Sequence, residues 1–170
     1  MIIGHVMEGL LRMGDNDQLE PAVAHSWEVT DTHAHFWLRE NAKWSDGQPI
    51  TAHDFIFGWQ TALSPEVASE YAFLLFHIKN GRAINEGKLP LSALAVEAPN
   101  DFELIVQLER PVAFFDKMVT FPTYMPVHEN FFKATAGKFG SDSWELLYSG
   151  PYVISHWVHG SSLLLEKNPH

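Results

Sequence analysis

Cysteine is absent from the chain, and no run of lysine or arginine occurs in it. The absence of cysteine excludes disulfides, thiolate nucleophiles and cysteine-ligated zinc. Eleven Lys and Arg residues stand against 21 Asp and Glu residues, so the formal net charge is −10. A surface of this sign repels nucleic acid phosphates and anionic lipid headgroups, so we expect neither as a partner.

Long apolar runs are also missing. None approaches the ~18–20 residues of a membrane-spanning helix, so we expect no direct membrane insertion. The residues after Met1 lack the basic stretch and the small-residue cleavage site of a signal peptide, and we expect no signal peptide within this chain.

Familiar catalytic and cofactor-binding motifs are missing as well. The chain has no Gly-x-Ser-x-Gly, no Gly-x-Gly-x-x-Gly and no P-loop. Ten histidines are present, but none forms His-Glu-x-x-His. His33 and His35 are two apart and would share one face of a strand, whereas zinc needs three or four converging ligands. We therefore predict no metal site, no cofactor and no enzymatic activity.

The chain does have a large apolar fraction. Its 170 residues are 46% hydrophobic and 13% aromatic, with six Trp and twelve Phe. Aromatic side chains bury large areas, so a substantial core is expected at this length. Aromatics at helical spacing, such as Phe114 and Phe115, are expected to pack in it. Strands that pair as local hairpins, with helices inserted between them, favour an α+β fold over a doubly wound sheet.

Three hairpins are predicted from the alternation of apolar and polar residues. The clearest one has Phe102, Leu104, Val106 and Leu108 on one face of its second strand. The predicted strand pairs are 26–29 with 33–39, 94–97 with 102–108, and 152–158 with 162–166.

Helices are predicted from apolar spacing and from start signals. Thr51 and Asp54 form a start that resembles a capping box, with Asp in place of the usual Glu. Pro65 and Pro111 stand where the first residue of a helix is expected. The predicted helices and helical turns are 2–12, 51–63, 65–75, 81–86, 111–119 and 129–134.

Six stretches of the chain carry a resemblance to one known family. They are 8–11, 21–27, 36–39, 42–55, 149–152 with Trp157, and 165–169. The strongest is 42–55, with the sequence AKWSDGQPITAHDF. In these stretches and their order, the chain resembles the oligopeptide-binding receptors of bacterial ABC importers, extracytoplasmic solute-binding family 5. That family also includes dipeptide, nickel and murein-peptide receptors.

The resemblance implies a fold and a domain organisation. The expected fold is α+β, a mixed and mainly antiparallel sheet with inserted helices, and part of the first lobe of a two-lobed periplasmic-binding-protein-like (class II) fold. Family members are considerably longer, so the chain looks like a fragment of the N-terminal lobe. Residues 1–148 would form its accessory subdomain and 149–170 would begin the ligand-facing subdomain, with the second lobe absent.

The resemblance also implies a function. Such a receptor binds oligopeptides, or a related small solute, in the periplasm and delivers them to the membrane permease of an ABC transporter. The peptide lies extended and pairs its backbone with strand edges, while its side chains enter roomy pockets in which bridging waters adapt. The acidic group that holds the peptide amino terminus belongs to the second lobe, so no Asp or Glu of this chain inherits that role.

Four residues are candidates for ligand contact. Tyr71 matches a tyrosine of a Ser-Pro-Tyr motif that lines the ligand cavity, although Glu70 replaces the proline. Phe121, followed by Pro122, matches a pocket-facing position that is His in one member, and Phe makes the pocket more apolar. Tyr152 ends the loop that returns the chain toward the cleft. Packing in the core is the alternative role for each of them.

A hypothesis from another functional class remains open at this stage. The chain would be a stand-alone interaction or self-associating domain, derived from such a receptor and without a transported ligand. An exposed surface around Phe121, Tyr124 and Tyr152 would then drive the association.

Overall fold

A computed structural model describes residues 8–67 and 69–128, together with the backbone of 152–158 and 162–167. Eight strands lie in this part of the chain. They are β1 (Leu11–Met13), β2 (Leu19–Pro21), β3 (Ala24–Val29), β4 (His33–Leu38), β5 (Val96–Asn100), β6 (Glu103–Gln107), β7 (Tyr152–Val158) and β8 (Ser162–Lys167). All strand pairs are antiparallel, and the largest sheet has the order β3-β4-β6-β5.

Helices lie between β4 and β5 of this sheet and also follow its last strand, β6. The α-helices are α1 (Ala52–Leu63), α2 (Gly81–Asn85) and α3 (Phe115–Met118). Short 3₁₀ helices lie at Asp15–Asp17, Ala72–His77, Leu91–Ala93 and Pro122–Tyr124. The expected α+β fold, mainly antiparallel with inserted helices, is confirmed for the described residues.

The core lies between the four-stranded sheet and the helices. Strand β4 alternates strictly, with Ala34, Phe36 and Leu38 buried, and β6 presents Leu104 and Val106 from the same face. A strand repeats every two residues, so one face collects the apolar side chains. The predicted hairpins β3–β4 and β5–β6 are confirmed by their pairing, and the backbone of β7–β8 confirms the third.

Helix α1 covers this core as its sequence predicts. Its buried residues include Phe55, Trp59 and Leu63, spaced four apart on one face. The helix lies very close to the segment that follows residue 124, because a Cβ added at Gly58 would stand 2.8 Å from the Met125 carbonyl oxygen. Glycine is required here by close backbone approach.

Three helix predictions are wrong in part. The predicted helix 2–12 fails at its end, because β1 begins at Leu11 and pairs with β2. From Pro65 the chain forms a turn and then the 3₁₀ helix Ala72–His77 instead of one continuous α-helix. From Pro111 it becomes helical only at Phe115. The predicted helix 129–134 lies outside the described residues.

Candidate functional site

The candidate residues Tyr71 and Phe121 occupy equivalent places in two short 3₁₀ helices. Tyr71 immediately precedes Ala72–His77, and its carbonyl accepts the Leu74 N–H at 3.1 Å. Phe121 immediately precedes Pro122–Tyr124, and its carbonyl accepts the Tyr124 N–H at 3.0 Å. Pro122 fits the first helical position because its ring fixes φ and its missing N–H has no partner to lose there.

Tyr124 ties these two helices together. Its side chain is fully buried and its hydroxyl donates to the Leu74 carbonyl oxygen. Burial raises the pKa of the Tyr124 hydroxyl, so the group stays protonated and remains a donor at neutral pH. Trp59 donates its indole N–H to the Tyr124 carbonyl at 2.9 Å, which anchors the same turn to α1.

The rings of Tyr71 and Phe121 are exposed. Tyr71 is 59% exposed and Phe121 is 43% exposed, while Pro122 is also exposed. The Tyr71 ring centroid lies 6.3 Å from that of Phe73, which is itself exposed. Core packing is therefore not the role of Tyr71 or Phe121 in the described part of the chain. Neighbouring exposed aromatics offer apolar area for contact.

Tyr152 is placed only by its backbone. It is the first residue of β7 and pairs with Lys167 of β8. The structure therefore brings Tyr71, Phe121 and Pro122 onto adjoining turns but does not relate the Tyr152 side chain to them.

Two expectations about aromatic residues are corrected. The hypothesis of a stand-alone, self-associating domain requires Tyr124 on an exposed surface, but its hydroxyl and ring are buried against Leu74, Trp59 and Phe115. Phe114 was expected in the core, but it is 51% exposed and meets the edge of His77, with ring centroids 5.9 Å apart. Of these two adjacent phenylalanines, Phe114 is exposed and Phe115 is buried. The sequence alone does not show which of the two enters the core.

The longest matching stretch, 42–55, forms a hydrogen-bonded clamp at the start of α1. The fully buried Trp44 donates its indole N–H to Asp54 Oδ2 at 3.0 Å, and the Thr51 N–H donates to the same oxygen at 2.9 Å. The predicted capping box of Thr51 and Asp54 is confirmed. Burial raises the pKa of the Asp54 carboxyl, although both hydrogen bonds act to lower it. The residues of this stretch therefore stabilise the start of α1 and the packing of Trp44.

One of the two histidines of β4, His35, takes part in a ring stack. His33 and His35 share the half-buried face of the strand, as predicted. The His35 ring stacks on Trp37 with centroids 4.0 Å apart, and His35 Nε2 lies 3.0 Å from Glu103 Oε2. Within the described residues no group of three His, Asp or Glu side chains converges as a metal site would require.

Helices suited to crossing a membrane are not found in the described part of the chain, where none combines sufficient length with sufficient apolar character.

Comparison with known proteins identifies the family of the chain. The family model for bacterial extracellular solute-binding proteins, family 5 Middle, matches residues 18–170. The probable deoxycholate-binding periplasmic protein YgiS of Escherichia coli is 40% identical over 99% of this chain and 32% of its own length. The periplasmic oligopeptide-binding protein OppA of Salmonella typhimurium is 40% identical over 96% of this chain and 31% of its own length.

A solved structure agrees with the sequence relatives. The substrate-binding domain of an oligopeptide ABC transporter from Bacillus anthracis superimposes with a TM-score of 0.97 at 42% identity. The match covers 99% of this chain and 33% of that one. The chain thus spans about a third of the length of the relatives it matches. On the family model and on these relatives together, the chain belongs to the bacterial extracellular solute-binding proteins of family 5.

Proposed function

We propose that the chain is part of the substrate-binding component of an ABC importer, which binds oligopeptides in the periplasm and delivers them to a membrane permease. Two of its relatives are named for oligopeptide binding or oligopeptide transport, at 40% and 42% identity. The relatives extend well beyond the matched third. In this proposal the matched region is one wall of a binding site that closes over its ligand, and it carries out no catalytic step.

The proposed contacts with the ligand are Tyr71, Phe121, Pro122 and Tyr152. The observation that carries this proposal is the exposure of Tyr71 and Phe121 on two turns that the buried Tyr124 hydroxyl holds together. An aromatic face offers area without directional hydrogen bonds, so it accepts side chains of different shape. Such a wall suits a receptor that takes many peptide sequences.

The proposal includes the division of the chain. Residues 1–148 form the accessory subdomain, and 149–170 begin the subdomain that faces the ligand. One continuous core, shared by the four-stranded sheet, α1 and the two tied turns, is consistent with a single subdomain over the described residues 8–67 and 69–128.

The experiment is a titration of the isotope-labelled 170-residue chain with trialanine, a zwitterionic peptide whose zero net charge limits long-range attraction to the net charge of −10. Amide shifts are followed by NMR. We expect shifts confined to residues 71–77, residues 121–124 and the start of β7 at Tyr152, with a dissociation constant of about 1–10 mM because a single wall encloses little of the ligand.

Variants at exposed apolar positions separate specific contact from general stickiness. Tyr71→Ala and Phe121→Ala are expected to abolish the shifts. Leu89→Ala removes an exposed apolar side chain elsewhere, 38% exposed, and is expected to leave them unchanged. The proposed contacts are wrong if no shifts reach the two turns, or if all three variants behave alike.

A further inference from the structure

A concave surface lies beside the 3₁₀ helix that follows Tyr71. It is a groove of about 780 Å³ between the 3₁₀ helix Ala72–His77, α2 and the loop after β6. This volume falls in the range of small-molecule sites, roughly 300–1,000 Å³. Neither Tyr71 nor Phe121 lines the groove, so it is a different surface from the proposed peptide contacts.

Aromatic rings supply most of the groove's apolar wall. Phe73 and Phe114 line it and are 55% and 51% exposed, so they offer contact area that no described residue covers. Phe76 is half-buried in the wall, beneath the Arg82 guanidinium carbon at 5.3 Å from its ring centroid. His77 completes the wall, and its ring is nearly perpendicular to that of Phe114. Burial lowers the pKa of His77, so this ring is neutral at pH 7.

The charges of the groove differ from those of the chain. Three basic residues and two acidic residues line it, whereas the whole chain has 11 Lys and Arg against 21 Asp and Glu. Glu86 and Lys88 pair at 3.2 Å and offset each other. Arg82 and Arg110 then stand against Glu109 alone, whose carboxylate accepts the Asn80 N–H at 3.2 Å. A locally positive groove on a strongly acidic chain favours an anionic ligand.

Arg110 is the basic group left for such a ligand. Its side chain is exposed at the groove, and it forms no ion pair with any residue in the described ranges. Arg82, by contrast, is held over the Phe76 ring. A guanidinium binds a carboxylate through two parallel N–H donors, and it is weakly hydrated compared with an ammonium group.

We propose that this groove is a binding site for amphipathic carboxylates, small molecules with a ring-bearing apolar body and one acidic group. The body packs against Phe73, Phe76 and Phe114, and the carboxylate binds the Arg110 guanidinium. One acidic group matches the single excess positive charge of the lining.

The probe is 1-pyrenebutyrate, a fluorescent carboxylate with a large ring system, and its matched control is the neutral 1-pyrenebutanol. Both are titrated into the whole 170-residue chain at 0.15 M salt, and binding is followed by pyrene fluorescence. We expect a dissociation constant of about 10–100 µM for the carboxylate. The alcohol is expected to bind about tenfold more weakly because it lacks the charge-assisted pair.

Three variants assign the contacts. Arg110→Gln removes the charge and is expected to make the two probes bind equally. Phe114→Ala removes apolar area and is expected to weaken both probes by about the same factor. Lys43→Gln removes an exposed charge that does not line the groove, so the preference for the carboxylate should persist.

Several outcomes would overturn the proposal. One is an equal preference for the carboxylate in Arg110→Gln and in the unchanged chain. Another is an NMR titration with 1-pyrenebutyrate in which amide signals shift at Pro122–Tyr124 but not in α2. That result would assign the probe to the proposed peptide contacts. A third is probe binding that weakens as the chain concentration rises while sedimentation shows a dimer forming, which would assign the groove to a second copy of the chain. Failure of trialanine to bind leaves the groove proposal standing, so the two proposals fail separately.

Discussion

Two regions of this molecule differ in the exposure of their aromatic side chains. In the clamp at 42–55, Trp44 is fully buried and its indole N–H bonds to Asp54. On the turn that precedes Ala72–His77, Tyr71 is exposed and its ring lies beside the exposed ring of Phe73. The clamp is also the stretch that matches the family most strongly. The resemblance is therefore strongest where the residues hold the fold, and it is weaker at the exposed positions proposed to meet the ligand.

The largest effect expected from this contrast is at Trp44. Trp44→Ala leaves a cavity and removes a donor from the Asp54 carboxylate. We expect a loss of about 3–5 kcal/mol in the free energy of unfolding, measured by urea denaturation. Trp37→Ala is the matched control, because Trp37 is half-buried on the open face of the sheet, and its loss should be clearly smaller. Equal losses would contradict the contrast.

The next effect is at the link between the two site turns. Tyr124→Phe keeps the ring in place but removes the hydroxyl that donates to Leu74. The carbonyl then lacks this donor, and we expect a loss of about 1–2 kcal/mol by urea denaturation. Amide shifts should spread through Ala72–His77 while the β5–β6 hairpin stays unchanged. Shifts limited to Pro122–Tyr124 would show that the hydroxyl does not hold the turns together.

A smaller effect should depend on pH. Burial raises the pKa of Asp54 above its ordinary 3.8, so the folded chain holds this proton more tightly than the unfolded chain does. The stabilisation from that proton is present in full below about pH 3.8 and is lost as pH rises through the raised pKa. The stability of the chain relative to Asp54→Asn should therefore be greater at pH 4 than at pH 7.

The control for this prediction is Asp46→Asn, which changes an exposed carboxylate in the same loop. Its difference from the unchanged chain should vary less with pH. The prediction is wrong if the free energy of unfolding of the unchanged chain, minus that of Asp54→Asn, rises from pH 4 to pH 7.

The smallest effect on the free energy of unfolding is expected at the exposed rings of Tyr71 and Phe121. Tyr71→Ala and Phe121→Ala should each lower the free energy of unfolding by about 1 kcal/mol or less, because Tyr71 is 59% exposed and Phe121 is 43% exposed. Urea denaturation checks this against Trp44→Ala. A loss comparable with that of Trp44→Ala would mean that these rings serve packing, and the proposed ligand contacts would lose their basis.

Local sequence signals predicted the elements that depend on local chemistry. The alternation through Leu104 and Val106 predicted β6, and Thr51 with Asp54 predicted the start of α1. These signals act within a few residues, so tertiary contacts did not override them.

The errors occur where distant residues decide the conformation. Apolar spacing predicted a helix up to residue 12, but Leu11 pairs with Pro21 in a strand. The stretch from Pro65 has apolar residues at helical spacing, but its 3₁₀ helix is fixed by the hydroxyl of Tyr124, fifty positions away. Apolar spacing alone does not distinguish such cases.

The candidate site was predictable only in part. The resemblance selected Tyr71 and Phe121, and the structure found both exposed on adjoining turns. Nothing in the sequence marked Phe73 or Phe114 as exposed, since a phenylalanine in a helical pattern is ordinarily buried. The groove could not be predicted because the loop after β6 meets Ala72–His77 only in the folded chain.

The strand order β3-β4-β6-β5 has a kinetic consequence. The centre of the sheet joins β4 to β6, and Trp37 pairs with Glu103 across an intervening stretch that includes α1 and α2. Closing so long a loop costs chain entropy before any pairing compensates, so refolding should be slow for a domain of this size. During folding, before β6 pairs with it, β4 has an unpaired edge, and this strand carries the apolar residues Ala34, Phe36 and Leu38. That interval is when the chain is most prone to aggregate, and it ends when Glu103–Gln107 pairs.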